Sequence, residues 1–325
     1  MQIVSCALAL LSGVIGAGFA SGREIARFFL GPFAPAAIIL AALSLLFFFL
    51  RLSTKMERIG VLSVPALCAA RFSGQLGAVC SGLFFLLAAV TAGAMLAACA
   101  ELSALMLPIR HAYGLGMGAA LLLSLILARK SVRGLAIAGA ALCALLPMLL
   151  LRLLALPAGE ACFYPAMGPD LPVRALTDGV SYAALNTAML LGMLPMLLSL
   201  GKRQRLRAVS FFALLFLALL SLGSAVLSRH SALALSHPMP FLALSRALHG
   251  GYWLIALCLY AAAFSTLVAM LASMTGMLPC SHPAADALAA AVALLFARAG
   301  FSALVQSAYP VLGAVCAGLL LLLCV

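Results

Sequence analysis

Long apolar runs, separated by short polar or basic stretches, follow one another along the whole chain. The runs are continuous rather than alternating, and continuous runs of this length are typical of membrane-spanning helices. A span needs about 20 predominantly apolar residues, so the pattern predicts an all-α membrane protein with about ten spans. The predicted spans are 2–30, 34–51, 75–106, 113–129, 133–156, 174–200, 207–228, 241–277, 284–298 and 302–325.

The first predicted span contains a segment that disfavours a continuous helix. Four glycines fall between Gly13 and Gly22, and each costs about 1 kcal/mol relative to alanine in a helix interior. Ser21 and Glu24 have the spacing of a capping box, which begins a new helix. We therefore expect two half-helices, 2–16 and 22–30, with unwound backbone between them.

A broken span has functional meaning in a membrane protein. Irregular backbone is tolerated in lipid only where it is buried in protein or lines a cavity. Discontinuous helices near the midplane are a feature of transporter binding sites. The alternative interpretation is close helix packing, because Gly18 and Gly22 form a small-xxx-small motif.

The sixth predicted span has a similar interruption at the matching place in the second half. Ala183–Ala188 is followed by Gly192 and Pro195, and proline cannot donate the backbone hydrogen bond of a continuous helix. Chance is the alternative explanation, because Asn, Gly and Pro also occur in ordinary membrane helices. Five spans on each side of an external loop, 157–173, give the two halves opposite topology. We therefore expect one transmembrane domain built as a 5+5 inverted repeat of residues 1–156 and 174–325.

Composition and charge agree with this interpretation. The 325 residues are 66% hydrophobic and 8% charged, with a net charge of +12. The basic residues lie mainly in alternate short loops, as the positive-inside rule requires, so both termini are expected in the cytoplasm. This distribution indicates a lipid bilayer rather than nucleic acid as the partner. The ten cysteines show no metal-ligand spacing.

Several polar residues fall inside the apolar runs, where they are candidates for function. Glu24 has two interpretations, a helix cap or a contact to substrate or protons, and Arg27 could pair with it. In the eighth span, Ser265 and Thr266 place adjacent hydroxyls in mid-membrane. They could bond to the carbonyls of the preceding turn or contribute oxygen ligands to a sodium site.

These features together resemble the LeuT fold of the amino acid–polyamine–organocation superfamily. The string Val14–Ile25, with Phe28 and Phe29, resembles the opening of the YkvI-type bacterial membrane proteins, where the segment typically reads GAGFASGQEI. Tyr182 and Asn186 also resemble the sixth helix of that group. Arg23 stands where the group usually has glutamine.

The resemblance implies a sodium site and a substrate site. The sodium ligands would be the carbonyls of Ser12, Ile15 and Ala262 and the hydroxyls of Ser265 and Thr266. Substrate would lie beside the sodium, lined by backbone of the two breaks, with Phe19 as a lid or wall. The N-terminal end of the 22–30 half-helix would suit an anionic group. The implied substrate residues are Gly16, Ala17, Gly18, Phe19, Ala20, Ser21, Gly22, Glu24, Tyr182, Asn186 and Thr187.

The sequence therefore predicts a secondary transporter in a bacterial inner (plasma) membrane. It would carry a small organic solute, an amino acid or related amine, by symport with sodium, or with protons through Glu24 as the alternative. A second hypothesis is a sensor that binds a small ligand in the same pocket, as resembling spore-germination receptor subunits are thought to do. An enzyme is the third alternative, although no nucleophile–base pair or phosphate loop is present in the sequence. The sequence indicates no oligomeric state.

Overall fold

The computed structural model describes residues 2–72, 74–129, 145–159, 171–248, 251–278 and 280–324. These residues form helices joined by short connections. In chain order the helices are α1 (Gln2–Val14), α2 (Ala17–Ala20), α3 (Arg23–Phe28), α4 (Ala34–Ile59), α5 (Val64–Arg71), α6 (Gln75–Met106), α7 (Ala112–Ala128), α8 (Leu145–Leu154), α9 (Leu171–Met189), α10 (Leu194–Leu198), α11 (Lys202–Arg229), α12 (Ser231–Ser236), α13 (Pro240–Leu244), α14 (Gly251–Met277), α15 (His282–Ala297) and α16 (Phe301–Cys324). Short 3-10 turns lie at Leu191–Met193 and Ser245–Ala247, and a π-helical turn at Leu304–Ala308 lies within α16.

Five of the described helices, α4, α6, α11, α14 and α16, are long and apolar enough to cross a membrane by length and composition. Residues 172–198 make a sixth span if the bent pair of α9 with the segment through α10 is counted as one. Large apolar side chains such as Leu43 on α4, Leu122 on α7 and Leu322 on α16 are exposed on the outside, as lipid contact requires. The chain is a multi-pass helical membrane protein, while the count of ten spans and the inverted repeat stay predictions.

The first span is broken where the sequence predicted it. The amide of Gly16 donates to Val14 at 2.8 Å instead of to Ser12, four residues back, so the helical ladder stops there. Gly22 adopts φ +82°, a left-handed conformation that favours glycine, and α3 begins directly after it. The predicted unwound stretch is shorter than expected, because Ala17–Ala20 forms one helical turn, α2.

The predicted capping box is wrong. The Ser21 hydroxyl donates to the Gly18 carbonyl and accepts a long 3.3 Å bond from the amide of Arg23. The Glu24 carboxylate does not return to the Ser21 amide, which donates to Ala17. It accepts from the Tyr182 hydroxyl on α9 instead. The contact with Tyr182 is favoured over the local cap because it gives the buried carboxyl group a hydrogen-bond partner, and a buried polar group without one is costly.

The second break lies between Met189 and Pro195. Tyr182–Thr187, whose backbone the resemblance places at the substrate, is continuous helix within α9 and has no free backbone to offer a ligand. The chain bends by 50° after Met189, about one turn before Pro195. The missing N–H of Pro195 leaves the helix weakest at that turn, which accounts for the position of the bend.

The eighth predicted span begins too early. Residues 231–247, which we call the capping segment, form α12, α13 and a 3-10 turn, and the long helix begins only at Gly251. The amide of Phe241 in this segment donates to the Ser21 carbonyl at 2.9 Å. The capping segment is thus attached to the break between α2 and α3. Most of the predicted loop 157–173 lies outside the described residues.

Helix α9 packs backbone to backbone on two neighbours through glycines. A Cβ on Gly179 would lie 2.5 Å from the Ala37 carbonyl oxygen of α4, and one on Gly313 of α16 would lie 2.8 Å from the Ser181 oxygen. Small residues allow such close approach, which is how helices associate when lipid is as apolar as their side chains.

Gly179→Ala is expected to lower the free energy of unfolding by about 1–3 kcal/mol, because the added methyl meets backbone that cannot rotate away. The measurement is the thermal unfolding midpoint of the detergent-purified protein. Gly118→Ala on α7 is the matched control, because a Cβ there meets nothing within 4 Å. Equal midpoints for the two variants would contradict the close packing of α4 and α9.

Candidate functional site

The structure brings α1, the bend after α9 and the second half of α14 around one cavity of about 320 Å³. Three of the five predicted sodium residues, Ser12, Ser265 and Thr266, line it. The other two, Ile15 and Ala262, are buried and are not among its lining residues. Gly13 of α1 and Met193, which follows the bend after α9, also line the cavity. The bend after α9 and the hydroxyl pair therefore line one cavity together with Ser12 and Gly13 of α1.

The oxygens around this cavity differ in how they are satisfied. The Ser265 hydroxyl donates to the Ala262 carbonyl at 3.0 Å, the ordinary back-bond of a membrane helix. The Thr266 hydroxyl is buried and has no hydrogen-bond partner in the part of the chain that the structure describes. It lies close to Gly16, where a Cβ would be 3.2 Å from the hydroxyl oxygen.

The carbonyls at the break are also released from the helical ladder. In a continuous helix the Ser12 carbonyl would accept from Gly16, but that amide donates to Val14. Among the described residues no backbone amide donates to the carbonyls of Ser12 or Ile15. Free carbonyl oxygens next to an unpartnered hydroxyl are the kind of group that binds a hard cation.

A second polar group lies buried on the far side of α2. Glu24 is 3% exposed, and one carboxylate oxygen accepts from the Tyr182 hydroxyl at 2.8 Å. The other oxygen lies against Gly18, where any Cβ would overlap the Glu24 side chain. The Tyr182 ring is surrounded by Phe28, Phe29 and Phe216, with centroids 5.0–6.1 Å away. The carboxyl group is therefore buried between the Tyr182 hydroxyl, whose ring packs among three phenylalanine rings, and the turn of helix at Gly18.

The basic residues of α3 point away from this carboxyl group. The predicted pair of Arg27 with Glu24 is wrong, because Arg27 lies 3.7 Å from Asp178 of α9. Buried Arg23 donates to the carbonyls of Ala234, Leu235 and His237 in the capping segment, the last at 2.9 Å. The α3 helix direction explains both contacts, since residues 23 and 27 share one face and residue 24 lies on another.

Two further oxygens near Tyr182 lack partners among the described residues. Asn186 donates through its amide nitrogen to the Tyr182 carbonyl at 2.9 Å, and its side-chain oxygen is left buried and unpaired. The Tyr309 hydroxyl on α16 is also buried and makes no hydrogen bond of ordinary geometry among the described residues, with Thr91 of α6 as its polar neighbour. Tyr309 lies close enough to Glu24 and Tyr182 to interact with both electrostatically. Thr187, by contrast, is bonded within its own helix to Ala183.

Sequence reasoning missed Tyr309. Its signal was a hydroxyl-bearing aromatic in the interior of the last apolar run, three residues after the polar Gln306. The remaining predicted substrate residues, Ala17, Phe19, Ala20, Ser21 and Gly22, are all buried. The expected anion site at the start of α3 is not open, because the Phe241 ring covers Gly22. That helix is also only six residues long.

At the opposite end of α3 a smaller cavity of about 240 Å³ lies beside the Arg27–Asp178 pair. Arg174 and Phe33 also line it. The structure therefore has a cavity on each side of the Glu24 cluster, and the cluster itself is enclosed.

No protein-family model matches the chain, and no curated protein matches it. Among solved structures, a Na+-coupled sialic acid symporter in a substrate-bound, outward-open state matches with a TM-score of 0.61 and 13% identity, over 99% of this chain and 78% of that one. A manganese transporter of Eremococcus coleocola matches with a TM-score of 0.54 and 15% identity, over 98% and 76% of the two chains. At such identities the likeness concerns the fold, which is LeuT-like.

Proposed function

We propose that the chain is a secondary active transporter that couples the entry of sodium to symport of a small organic solute, an amino acid or related amine. The observation that carries the proposal is the unpartnered Thr266 hydroxyl beside the break at Gly16, next to the released carbonyls of Ser12 and Ile15. The LeuT-like fold supports it, because one structural neighbour is a Na+-coupled symporter. The motif of the first span supports a YkvI-type bacterial protein of the plasma membrane.

The positions of the two cavities fit alternating access. With both termini in the cytoplasm, α14 runs inward, and its second half lines the larger cavity. The Arg27–Asp178 pair and the capping segment then lie on the outer side. This arrangement corresponds to a state closed on the outside, in which sodium would leave through the larger cavity.

A cation bound between α1 and α14 would act on the break itself. Carbonyls of Ser12 and Ile15 belong to α1, whereas Ala262 and the two hydroxyls belong to α14. One ion would therefore hold two helices together, and its departure would free them to separate. Coupling follows if solute binds more strongly to the sodium-bound arrangement than to the sodium-free one.

Sodium is expected to raise the thermal unfolding midpoint of the detergent-purified protein relative to matched choline, because a ligand stabilises the state that binds it. At about 100 times the dissociation constant the gain is about 2.7 kcal/mol. The shift should vanish in Ser265→Ala/Thr266→Ala. The control is Thr275→Ala, which removes a hydroxyl bonded to Ala272 on the same helix and should leave the shift intact.

Uptake provides the second half of this test. Proteoliposomes with an inward sodium gradient should accumulate at least one of the twenty radiolabelled amino acids, and a potassium gradient should not replace sodium. A sodium shift that survives in the double variant would overturn the assigned site. Absence of both a sodium shift and sodium-driven uptake would overturn the proposed function.

A further inference from the structure

The buried cluster around Glu24 contains two oxygens without hydrogen-bond partners in the described part of the chain. The second carboxylate oxygen of Glu24 lies against Gly18, and the side-chain oxygen of Asn186 and the hydroxyl of Tyr309 have no partners among the described residues. Buried polar atoms are normally hydrogen-bonded, and leaving two of them, on Asn186 and Tyr309, without partners beside a buried carboxyl group is costly. Such a cluster indicates a missing group that carries several donors.

No fixed cation of the described residues supplies those donors. Both arginines of α3 are engaged elsewhere. Arg23 donates to backbone carbonyls of the capping segment, and Arg27, one turn later on α3, pairs with Asp178. The titratable groups that face Glu24 are Tyr182 from α9 and Tyr309 from α16. The side chains from α11 and α13 that reach this region are the rings of Phe216 and Phe241.

A protonated primary amine matches the cluster. An ammonium group has three donors and no acceptor, which corresponds to the carboxylate, the amide oxygen and the phenolic oxygen. Aromatic faces attract cations by about 0.5–2 kcal/mol, depending on how far the cation is desolvated. Here the Phe28 and Phe29 rings pack on the Tyr182 ring, whose hydroxyl donates to the Glu24 carboxyl group. A carboxylate solute group has no hydrogen-bond donor to offer these oxygens.

We propose that Glu24, with the free oxygens of Asn186 and Tyr309, is the subsite for the protonated amine of the transported solute, and that the amine binds there in exchange for a proton held by Glu24. The inference rests on the proposed function and names the chemical group that the transporter selects. The carboxyl would carry a proton when the subsite is empty, because an unpaired buried carboxylate is costly.

The exchange balances in atoms and charge. The solute arrives as R–NH3+, the Glu24 O–H bond breaks, and the carboxylate accepts hydrogen bonds from the ammonium. The proton goes to water when the enclosed subsite opens to admit the solute, so one positive charge enters the subsite as one leaves. The solute keeps its own proton throughout.

The subsite and the sodium site meet at one turn of helix. Gly16, at the start of α2, contacts Thr266, and Gly18, two residues later, contacts Glu24. An amine bound at Glu24 would therefore act on the same turn that a cation near Thr266 holds. This gives a physical route by which the two ligands affect each other's affinity.

Amines and their neutral counterparts test the subsite directly. We would measure thermal shifts in sodium with the twenty amino acids, with putrescine and with the matching N-acetyl amino acids, which lack the ammonium group. At least one free amine should stabilise the protein, and its N-acetyl form should bind roughly 30-fold more weakly or not at all, the loss expected when a buried charge pair is broken. Glu24→Gln should reduce amine binding by a similar factor while the sodium shift remains, which shows that the variant is folded.

Proton release tests the exchange. In weakly buffered solution, binding of the amine should release up to one proton per site, and the apparent affinity should fall about tenfold for each unit that the pH is lowered. Glu24→Gln should abolish the release. Glu101→Gln is the control, because that carboxylate binds the Phe301 amide outside the cluster.

Three results would overturn the inference and leave the proposed function in place. The first is that the N-acetyl forms bind as tightly as the free amines. The second is an unchanged amine affinity in Glu24→Gln. The third is sodium-driven uptake of a solute whose binding does not depend on an amino group. Infrared difference spectra give a readout that needs no solute. Loss of the protonated-carboxyl band in Glu24→Gln is expected, and a spectrum of the empty protein unchanged by that substitution would also overturn the inference.

Discussion

Gly18→Ala is expected to lower the thermal unfolding midpoint by several degrees and to abolish amine binding. The Cβ of the new residue would occupy the position of the Glu24 side chain, including its Cγ, Cδ and one oxygen. Glu24 cannot simply rotate away, since it is buried and held by Tyr182 at 2.8 Å. Overpacking of this kind costs about 1–3 kcal/mol, and any displacement of the carboxyl separates it from the other two oxygens of the subsite.

A double-mutant cycle identifies the cause of this loss. The destabilisation by Gly18→Ala should largely disappear in a Glu24→Ala background, because the side chain that the methyl meets is then gone. Gly276→Ala on α14 is the matched control, with open space around the added carbon, and should be close to neutral. If Gly18→Ala costs the same in both backgrounds, the glycine serves the α2 backbone and not Glu24.

The break of the first span could be predicted from the sequence because it is a local property. Glycines between positions 13 and 22 weaken any continuous helix whatever surrounds it, and Gly22 alone among them takes a left-handed conformation. The grouping of Ser12 with Ser265 and Thr266 is an expectation from the LeuT-like resemblance, and all three residues line the larger cavity. These predictions rest on backbone preferences and on topology.

The partner of Glu24 could not be predicted, because two contacts compete for one carboxylate. The capping box is available within four residues, whereas the Tyr182 hydroxyl becomes available only when α9 packs on α3. Tyr309 was missed because it comes from the last helix, far along the chain.

Arg23→Ala is expected to release the capping segment from α3. The buried guanidinium donates to three carbonyls at the end of α12, those of Ala234, Leu235 and His237. Hydrogen bonds to a charged group contribute about 1.5–3 kcal/mol, so local opening of the segment should become on the order of 10–100 times more frequent. Hydrogen exchange of amides in residues 231–247, followed by mass spectrometry, measures this opening.

Two further substitutions on α3 test whether the charge of Arg23 or its hydrogen bonds hold the capping segment. Arg23→Gln places the residue typical of the resembling bacterial proteins here, and its two amide donors should retain part of the protection. Arg27→Ala removes the other arginine of α3, which pairs with Asp178, and should leave residues 231–247 unchanged. Full protection in Arg23→Ala would mean that apolar packing of Phe241 and Leu242 alone holds the capping segment. Faster exchange confined to Arg23→Ala would instead show that this arginine holds the capping segment on α3.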